Sequence, residues 1–264
     1  MRKNRAVFVA LAGILALSLG AQAVYTAEFV SGTVERRVGS AWKAIEPGDQ
    51  LKEAEAKSVR LGKRSLAEFS SKGRKISLSA EGSYDLQELF SKPAPKVASA
   101  LGGRVQKLLT DVKPRVETVA GVRAEEQGDD LGALFQDEYS LFVSGRDAIM
   151  AGDMAGGESI LEEAWEYAEG SDDEALLARI SYYLGLSRVS QGMLAKSLMA
   201  LRQADWRDSG DLAADYLTLR LDLELQTNSP AEAKALIKEA LEAGPAKGLQ
   251  QSFLDELKAL SKEL

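Results

Sequence analysis

Two short motifs carry the atoms of known chemistries. Ser40-Ala41-Trp42-Lys43 has the spacing of a serine nucleophile activated by a lysine. That arrangement works when the serine opens a helix and the lysine lies one turn later. Gly62-Lys63-Arg64-Ser65 has the ending of a phosphate-binding loop, whose glycines and lysine cradle phosphate oxygens. Carboxylates cluster at Glu162-Glu163, at Asp172-Asp173-Glu174 and at Asp205, Asp208 and Asp211. These are the groups that hold calcium or do glycosidase acid–base work. Each motif is incomplete. The surroundings of Ser40 read as strand, which sends residues three apart to opposite faces, and no Ser-Asp-Asn or Lys-Thr-Gly partner follows. Lys57 stands where the first glycine of a phosphate loop belongs. The acidic clusters lack the alternating ligands and glycine of an EF-hand and read as solvated faces.

The chain has no histidine and no cysteine. Serine–histidine triads, cysteine–histidine dyads, histidine-bearing zinc sites, disulfides and thiolate metal sites are therefore excluded. A carboxylate-only hydrolase stays formally open. The expectation is a protein that is not an enzyme and uses no cofactor and no metal.

Charge divides the chain. Residues 24–124 hold 18 basic and 12 acidic side chains, whereas residues 125–264 hold 12 basic and 28 acidic. Such asymmetry marks a domain boundary. The bland interpretation is two domains with different solvated faces; the sharper one is a basic head that meets an anionic envelope polymer. Nothing points to nucleic acid.

Several elements must position these residues. Met1–Arg5 is a basic n-region followed by an uncharged apolar stretch, Ala6–Leu19, and by the small-x-small site Ala21-Gln22-Ala23. This is the pattern of a secretory signal peptide over residues 1–23, cleaved before Val24. The apolar stretch is shorter than the roughly 20 residues a membrane span needs, so a membrane is involved only if the signal is uncleaved. Residues 28–86 read as strands. Val30, Gly32, Val34 and Val38 alternate with polar residues, and Trp42–Ile45, Ser58–Leu61, Ser65–Phe69 and Lys75–Leu78 follow between glycine turns. Pro93, Pro95, Pro114 and Gly102-Gly103 mark 91–116 as a linker, with a short helix near Val105–Leu109. Thr118–Arg123 reads as a late strand returning to the sheet, and Gly128-Asp129-Asp130 as a hinge.

From 134 to 247 the sequence repeats. Gly145, Gly152 and Ala164 recur 40 residues later as Gly185, Gly192 and Ala204. In a third copy Asn228 takes the turn position, Ala233 and Ala240 follow, and Leu221 replaces the first glycine. Small residues at Gly145, Gly157, Gly185, Ser197 and Ala233 allow close helix packing. Gly152, Gly192 and Asn228 suit turns with left-handed backbone. Three helix pairs are thus expected, with a capping helix over 248–264 built on Leu249, Phe253, Leu257 and Leu260. Trp165 and Trp206 are assigned to packing on the second helices. Tyr139, Tyr182 and Tyr183 fall on first helices and are candidate anchors for a partner.

The helical half resembles a tetratricopeptide-repeat array, on Gly145, Gly152, Gly157 and Ala164 and their counterparts, although Leu221 and the 40-residue spacing depart from that pattern. The resemblance implies a groove that receives a peptide or protein segment. The first half resembles the periplasmic domain of the FecR family. It shares Gly32-Thr33-Val34, Trp42 before Ile45-Glu46-Pro47-Gly48, Leu51, Ser65–Phe69, Gly73 before Ile76-Ser77-Leu78, and Thr118–Arg123 as closing strand. It implies a β domain over 24–90, closed by 117–124, in the periplasm of a Gram-negative-type bacterium. Only five residues precede the apolar stretch, so the resemblance is expected to extend to fold and compartment and not to sigma-factor regulation.

The expected architecture is multidomain α and β, an N-terminal antiparallel β-sandwich or roll followed by an α-helical solenoid of tetratricopeptide type. The expected role is an exported scaffold or adaptor. The alternatives are a peptidoglycan- or polysaccharide-binding envelope module and a signal-anchored FecR-type regulator.

Overall fold

A computed structural model describes residues 24–92, 99–111 and 137–264. The signal segment with Ala21 and Ala23, the closing strand expected at 117–124, the hinge at Gly128–Asp130 and Pro93, Pro95 and Pro114 lie outside the described residues.

Eight short strands make two antiparallel sheets. They are β1 (Tyr25–Ser31), β2 (Val34–Val38), β3 (Ala41–Ala44), β4 (Gln50–Leu51), β5 (Val59–Leu61), β6 (Leu66–Ser71), β7 (Arg74–Leu78) and β8 (Gly82–Tyr84). One sheet has the order β4-β1-β6-β7 and the other β3-β2-β5-β8. Their inner faces share one apolar core: Ala27, Leu51, Phe69 and Leu78 come from the first sheet, and Val34, Val59 and Leu61 from the second. Two short helices, α1 (Glu53–Ala56) and α2 (Leu86–Ser91), border it.

The single strand expected through Val30, Gly32, Val34 and Val38 is two strands in different sheets. Gly32 is the reason. Its φ of +78° turns the chain, and a Cβ there would lie 2.7 Å from Ser65 Oγ. Thr33 N donates to that same oxygen at 2.9 Å.

The helical half contains α3 (Ser99–Asp111), α4 (Glu138–Met150), α5 (Met154–Ala168), α6 (Glu174–Ser190), α7 (Leu194–Gln203), α8 (Ala213–Gln226), α9 (Pro230–Ala243) and α10 (Gln251–Glu263). Asp137, Asp153 and Asp173 cap α4, α5 and α6 by accepting from backbone N–H groups three residues on. From α4 to α9 the helices run as consecutive pairs, so α4, α6 and α8 are leading helices and α5, α7 and α9 trailing ones. The turns between partners contain Gly152, Gly192 and Asn228 at φ of +93°, +75° and +60°.

The repeat glycines act through space. A Cβ on Gly145 would lie 2.7 Å from Leu161 Cγ, and one on Gly185 would lie 2.8 Å from Leu201 Cγ. Ser197 Oγ donates to the Gly185 carbonyl at 2.6 Å, which adds a hydrogen bond at the same crossing. Ala164, Ala233 and Ala240 are fully buried within α5 and α9.

Two second-copy residues depart from expectation. Helix α7 stops at Gln203, so Ala204 is its half-buried C-terminal flank and Trp206 lies in a 3-10 turn beyond it. The stop has partners ready. Ser181 Oγ donates to the Ala200 carbonyl at 2.5 Å, and Tyr216 Oη donates to that of Leu201 at 2.8 Å. Trp206 is buried with its Nε1 donating to Glu239 at 2.9 Å. The 91–116 segment departs as well. It carries the 13-residue helix α3 where a short helix was expected.

The two halves meet away from the chain's direct route. Leu66 and Phe29 of the β half join the apolar cluster of the helices. At the α8–α9 turn Ser79 N donates to the Thr227 carbonyl at 3.1 Å, Ser79 and Thr227 hydroxyls lie 2.6 Å apart, and Ser229 bonds the same Ser79 oxygen. Among the described residues no helix is long and apolar enough to cross a membrane.

The glycine crossings yield a prediction. Gly185→Val forces Leu201 away and is expected to cost about 1–3 kcal/mol, lowering Tm by about 2–4 °C per kcal/mol. A thermal melt by circular dichroism checks it; an unchanged Tm would mean that the α6–α7 approach does not limit stability.

Candidate functional site

The chemical motifs of the sequence do not assemble. Ser40 sits in the exposed turn after β2 and Lys43 in β3. Gly62–Ser65 is the β5–β6 turn, with Arg64 at φ +54° and Ser65 Oγ engaged by Thr33. The carboxylate clusters are occupied singly. Glu162 accepts from Arg188, Asp173 caps α6, Asp205 pairs with Arg207, and Asp211 with Arg179. Among the described residues no three potential ligands are grouped for a metal ion.

The tyrosines do come together. Tyr139 on α4 and Tyr182 and Tyr183 on α6 belong to one aromatic run that continues through Phe142 and Tyr216. Ring centroids are 6.1 Å apart for Tyr139–Phe142, 5.9 Å for Phe142–Tyr183, 5.1 Å for Tyr183–Tyr182 and 6.3 Å for Tyr182–Tyr216. All lie on leading helices because first-helix positions recur with the repeat. Their exposures differ sharply. Tyr139 is 58% exposed, Tyr183 half-buried and Tyr182 only 4% exposed. Tyr182 is therefore a packing residue, while Tyr139 and Tyr183 offer surface. Burial, helped by Asp215, drives the Tyr182 phenol far above its ordinary value. Burial also raises Tyr183, opposed by the Arg146 guanidinium. Arg146 stands 5.8 Å over the Phe142 ring, so the exposed end of the run is edged by a cation.

At the other end α3 lies against α8 and α10. Its Leu101 and Val105 are buried in the helical apolar cluster, and Arg104 makes two bonds to Glu256, at 2.8 and 2.7 Å. Burial raises the Asp215 carboxyl on α8, and Arg104 and Lys107 pull it back.

A concavity of about 730 Å³ opens between the β5–β6 turn and the helices α7, α8 and α9. Lys63 and Arg64 come from the turn, Leu66 and Leu236 supply apolar wall, and Arg202 and Arg220 reach in from α7 and α8. Arg202 Nε donates at 2.9 Å to Glu224, which is 1% exposed. Arg220 Nε is buried without a hydrogen-bond partner among the described residues, 3.8 Å from Glu224.

Sequence reasoning expected only the short helix near Val105–Leu109 where α3 runs from Ser99 to Asp111, and it missed the Arg202–Glu224–Arg220 cluster. Leu101, Val105, Leu108 and Leu109 have helical spacing that was available as a signal, but the glycine pair inside the segment masked it. The arginine cluster joins residues scattered over two helices and has no local signature.

Comparison of the chain with protein-family models, with curated proteins and with solved structures returned no match.

Asp222 lies two turns on from Asp215, on the same side of α8. Gln226 Nε2 donates to one of its oxygens at 2.6 Å, and the other is buried without a partner among the described residues. Burial pushes its carboxyl up to about 6, against the hydrogen bond from Gln226. The folded-state value thus exceeds the unfolded one near 3.9. The fold prefers the protonated form, so stability falls as pH rises from about 4 to 7, by up to about 3 kcal/mol. Asp222→Asn is expected to remove that fall, with its Tm advantage over wild type largest at pH 8 and shrinking towards pH 4. Thermal melts across this range decide the matter, and parallel curves would sink it.

Proposed function

We propose that the chain is an exported, non-enzymatic adaptor of the bacterial periplasm. A FecR-like β domain engages an envelope component, and a tetratricopeptide-like solenoid of helix pairs receives a protein partner on its leading helices. The observation that carries this reading is the aromatic run from Tyr139 through Phe142 to Tyr183, open at Tyr139 and flanked by Arg146. Rigid aromatic rings beside arginine are the side chains that concentrate interface energy.

Other features support the parts of the proposal. The glycine crossings at Gly145 and Gly185 and the left-handed turns agree with a repeat array. The basic n-region, apolar stretch and small-x-small site support export. Absence of histidine and cysteine, with Ser40 and Lys43 in a turn and a strand, favours binding over bond-making. The acidic balance of the helical half would select a partner by charge and speed its approach.

Cross-linking and capture from envelope extract with the full chain tests the proposal. Replacing both Tyr139 and Tyr183 by Ala is expected to cut recovery of the specific partner about tenfold or more, a loss of about 1.4 kcal/mol, in a chain that still melts cooperatively. Equal recovery by wild type and double variant would count heavily against the groove.

The cleft favours a second reading, an envelope module that binds peptidoglycan or another polysaccharide through Lys63, Arg64 and Arg220 together with the carboxylates Glu81, Glu232 and Glu239 of the same cleft. Co-sedimentation of the full chain with purified sacculi at low salt, lost on Arg64→Ala with Arg220→Ala, would support it; no co-pelleting would remove it.

A further inference from the structure

Helix α3 has the form of a ligand. Leu101 and Val105 are four residues apart and buried, and Leu108 and Leu109 continue the apolar stripe half-buried against the same cluster. Arg104 meets an acid of α10, and Arg104 and Lys107 lie within electrostatic reach of an acid of α8. Arg104 grips Glu256 and stands 5.1 Å over the Phe253 ring, and Arg104 and Lys107 both act on Asp215. Asp111, at its end, acts on the Tyr182 phenol of α6. A basic amphipathic helix thus packs on α8 and is tied to α10 through Arg104, the geometry of helix-in-groove recognition.

Its own sequence makes that seat reversible. Gly102 and Gly103 lie inside the helix, where glycine weakens helical structure relative to alanine. No close packing demands Gly103, since nothing lies within 4 Å of where its Cβ would be. The Arg104–Glu256 pair is nearly 40% exposed on both sides, so solvent screens it. Thirteen residues are also too few for a stable isolated helix. The segment is ordered by the face it covers.

We propose that α3 is an internal occupant of the partner groove. The protein partner is a basic amphipathic helix with the same pattern, large apolar residues at i, i+4 and i+7 and arginine at i+3, and it binds by displacing α3. This rests on the reading of the helical half as a binding module and adds both the partner's chemistry and its control. Tyr139 and Tyr183 remain available while α3 is seated, so the partner engages α4 and α6 first and extends to α8 and α10 as α3 leaves.

The probe is a fluorescein-labelled peptide of residues 99–111, followed by anisotropy with the full chain. Val105→Asp unseats α3 and is expected to bind the peptide at least tenfold tighter than wild type. Gly103→Ala strengthens α3 in place and is expected to bind it more weakly than wild type. Glu256→Arg added to Val105→Asp is expected to abolish the gain. Circular dichroism verifies that each variant melts cooperatively, and Arg104→Glu replaces Val105→Asp should that chain fail to fold. A folded, unseated variant that binds the peptide no tighter than wild type overturns the proposal. Capture from envelope extract separates the two ideas. A partner recovered equally by wild type and the unseated variant keeps the adaptor reading and sinks the displacement. Peptide binding without any envelope partner does the reverse.

Discussion

The hydroxyl junction of Ser79, Thr227 and Ser229 sets the geometry on which the rest depends. Residues about 150 apart in sequence share buried hydrogen bonds there, so the β half is fastened to the third helix pair. The chain leaves the β half after α2, however, and enters the pairs at α4, the far end of the row. The described segment between them in sequence, helix α3, lies against α8 with Arg104 tied to Glu256 of α10. An ordinary connection between domains thereby becomes a strap across the face with the aromatic run. The junction also brings the β5–β6 turn against α7 and α8, which creates the cleft at Arg202 and Arg220. Burying three hydroxyls together is tolerable because each has a partner; a single unpaired one would be costly.

Much of the helical half was legible because its signals are local or periodic. Left-handed φ at Gly152, Gly192 and Asn228 follows from residue type at a turn. The spacing of Leu249, Phe253, Leu257 and Leu260 puts all four on one face of the last helix and its approach, where they are buried. The strand runs between glycine turns were legible for the same reason. The misses all involve partners distant in sequence. Gly32 splits the first strand because Ser65 stands against it. Helix α7 ends early because Ser181 and Tyr216 satisfy its last carbonyls. The docking of α3 depends on Glu256 and on the apolar face of α8, which no local pattern reports.

The candidate site was legible only in outline. Assigning the tyrosines to first helices put them on one face, but their burial depends on how far each ring is covered by neighbours. Tyr182 is enclosed between Tyr183 and Tyr216, whereas Tyr139, on the first described helix of the row, is left more than half exposed by the described residues. Position within the row therefore separates an anchor from a core residue of the same type. The electrostatic outline behaved similarly. The acidic excess of the second half was countable, yet its placement opposite the basic face of α3 came only from the fold.

Leu221 makes the spacing of the helix pairs uneven along the row. In the first two pairs a glycine lets the facing leucine press against the backbone, and interaxial distance is set by side-chain size at the contact. In the third pair a fully buried leucine holds that place, so α8 and α9 stand further apart and share fewer contacts than α4 and α5. The helices that present Tyr139 and Tyr183 are thus drawn close to their pair partners, while the more widely spaced third pair is the one on which the β half is seated through Ser79, Thr227 and Ser229.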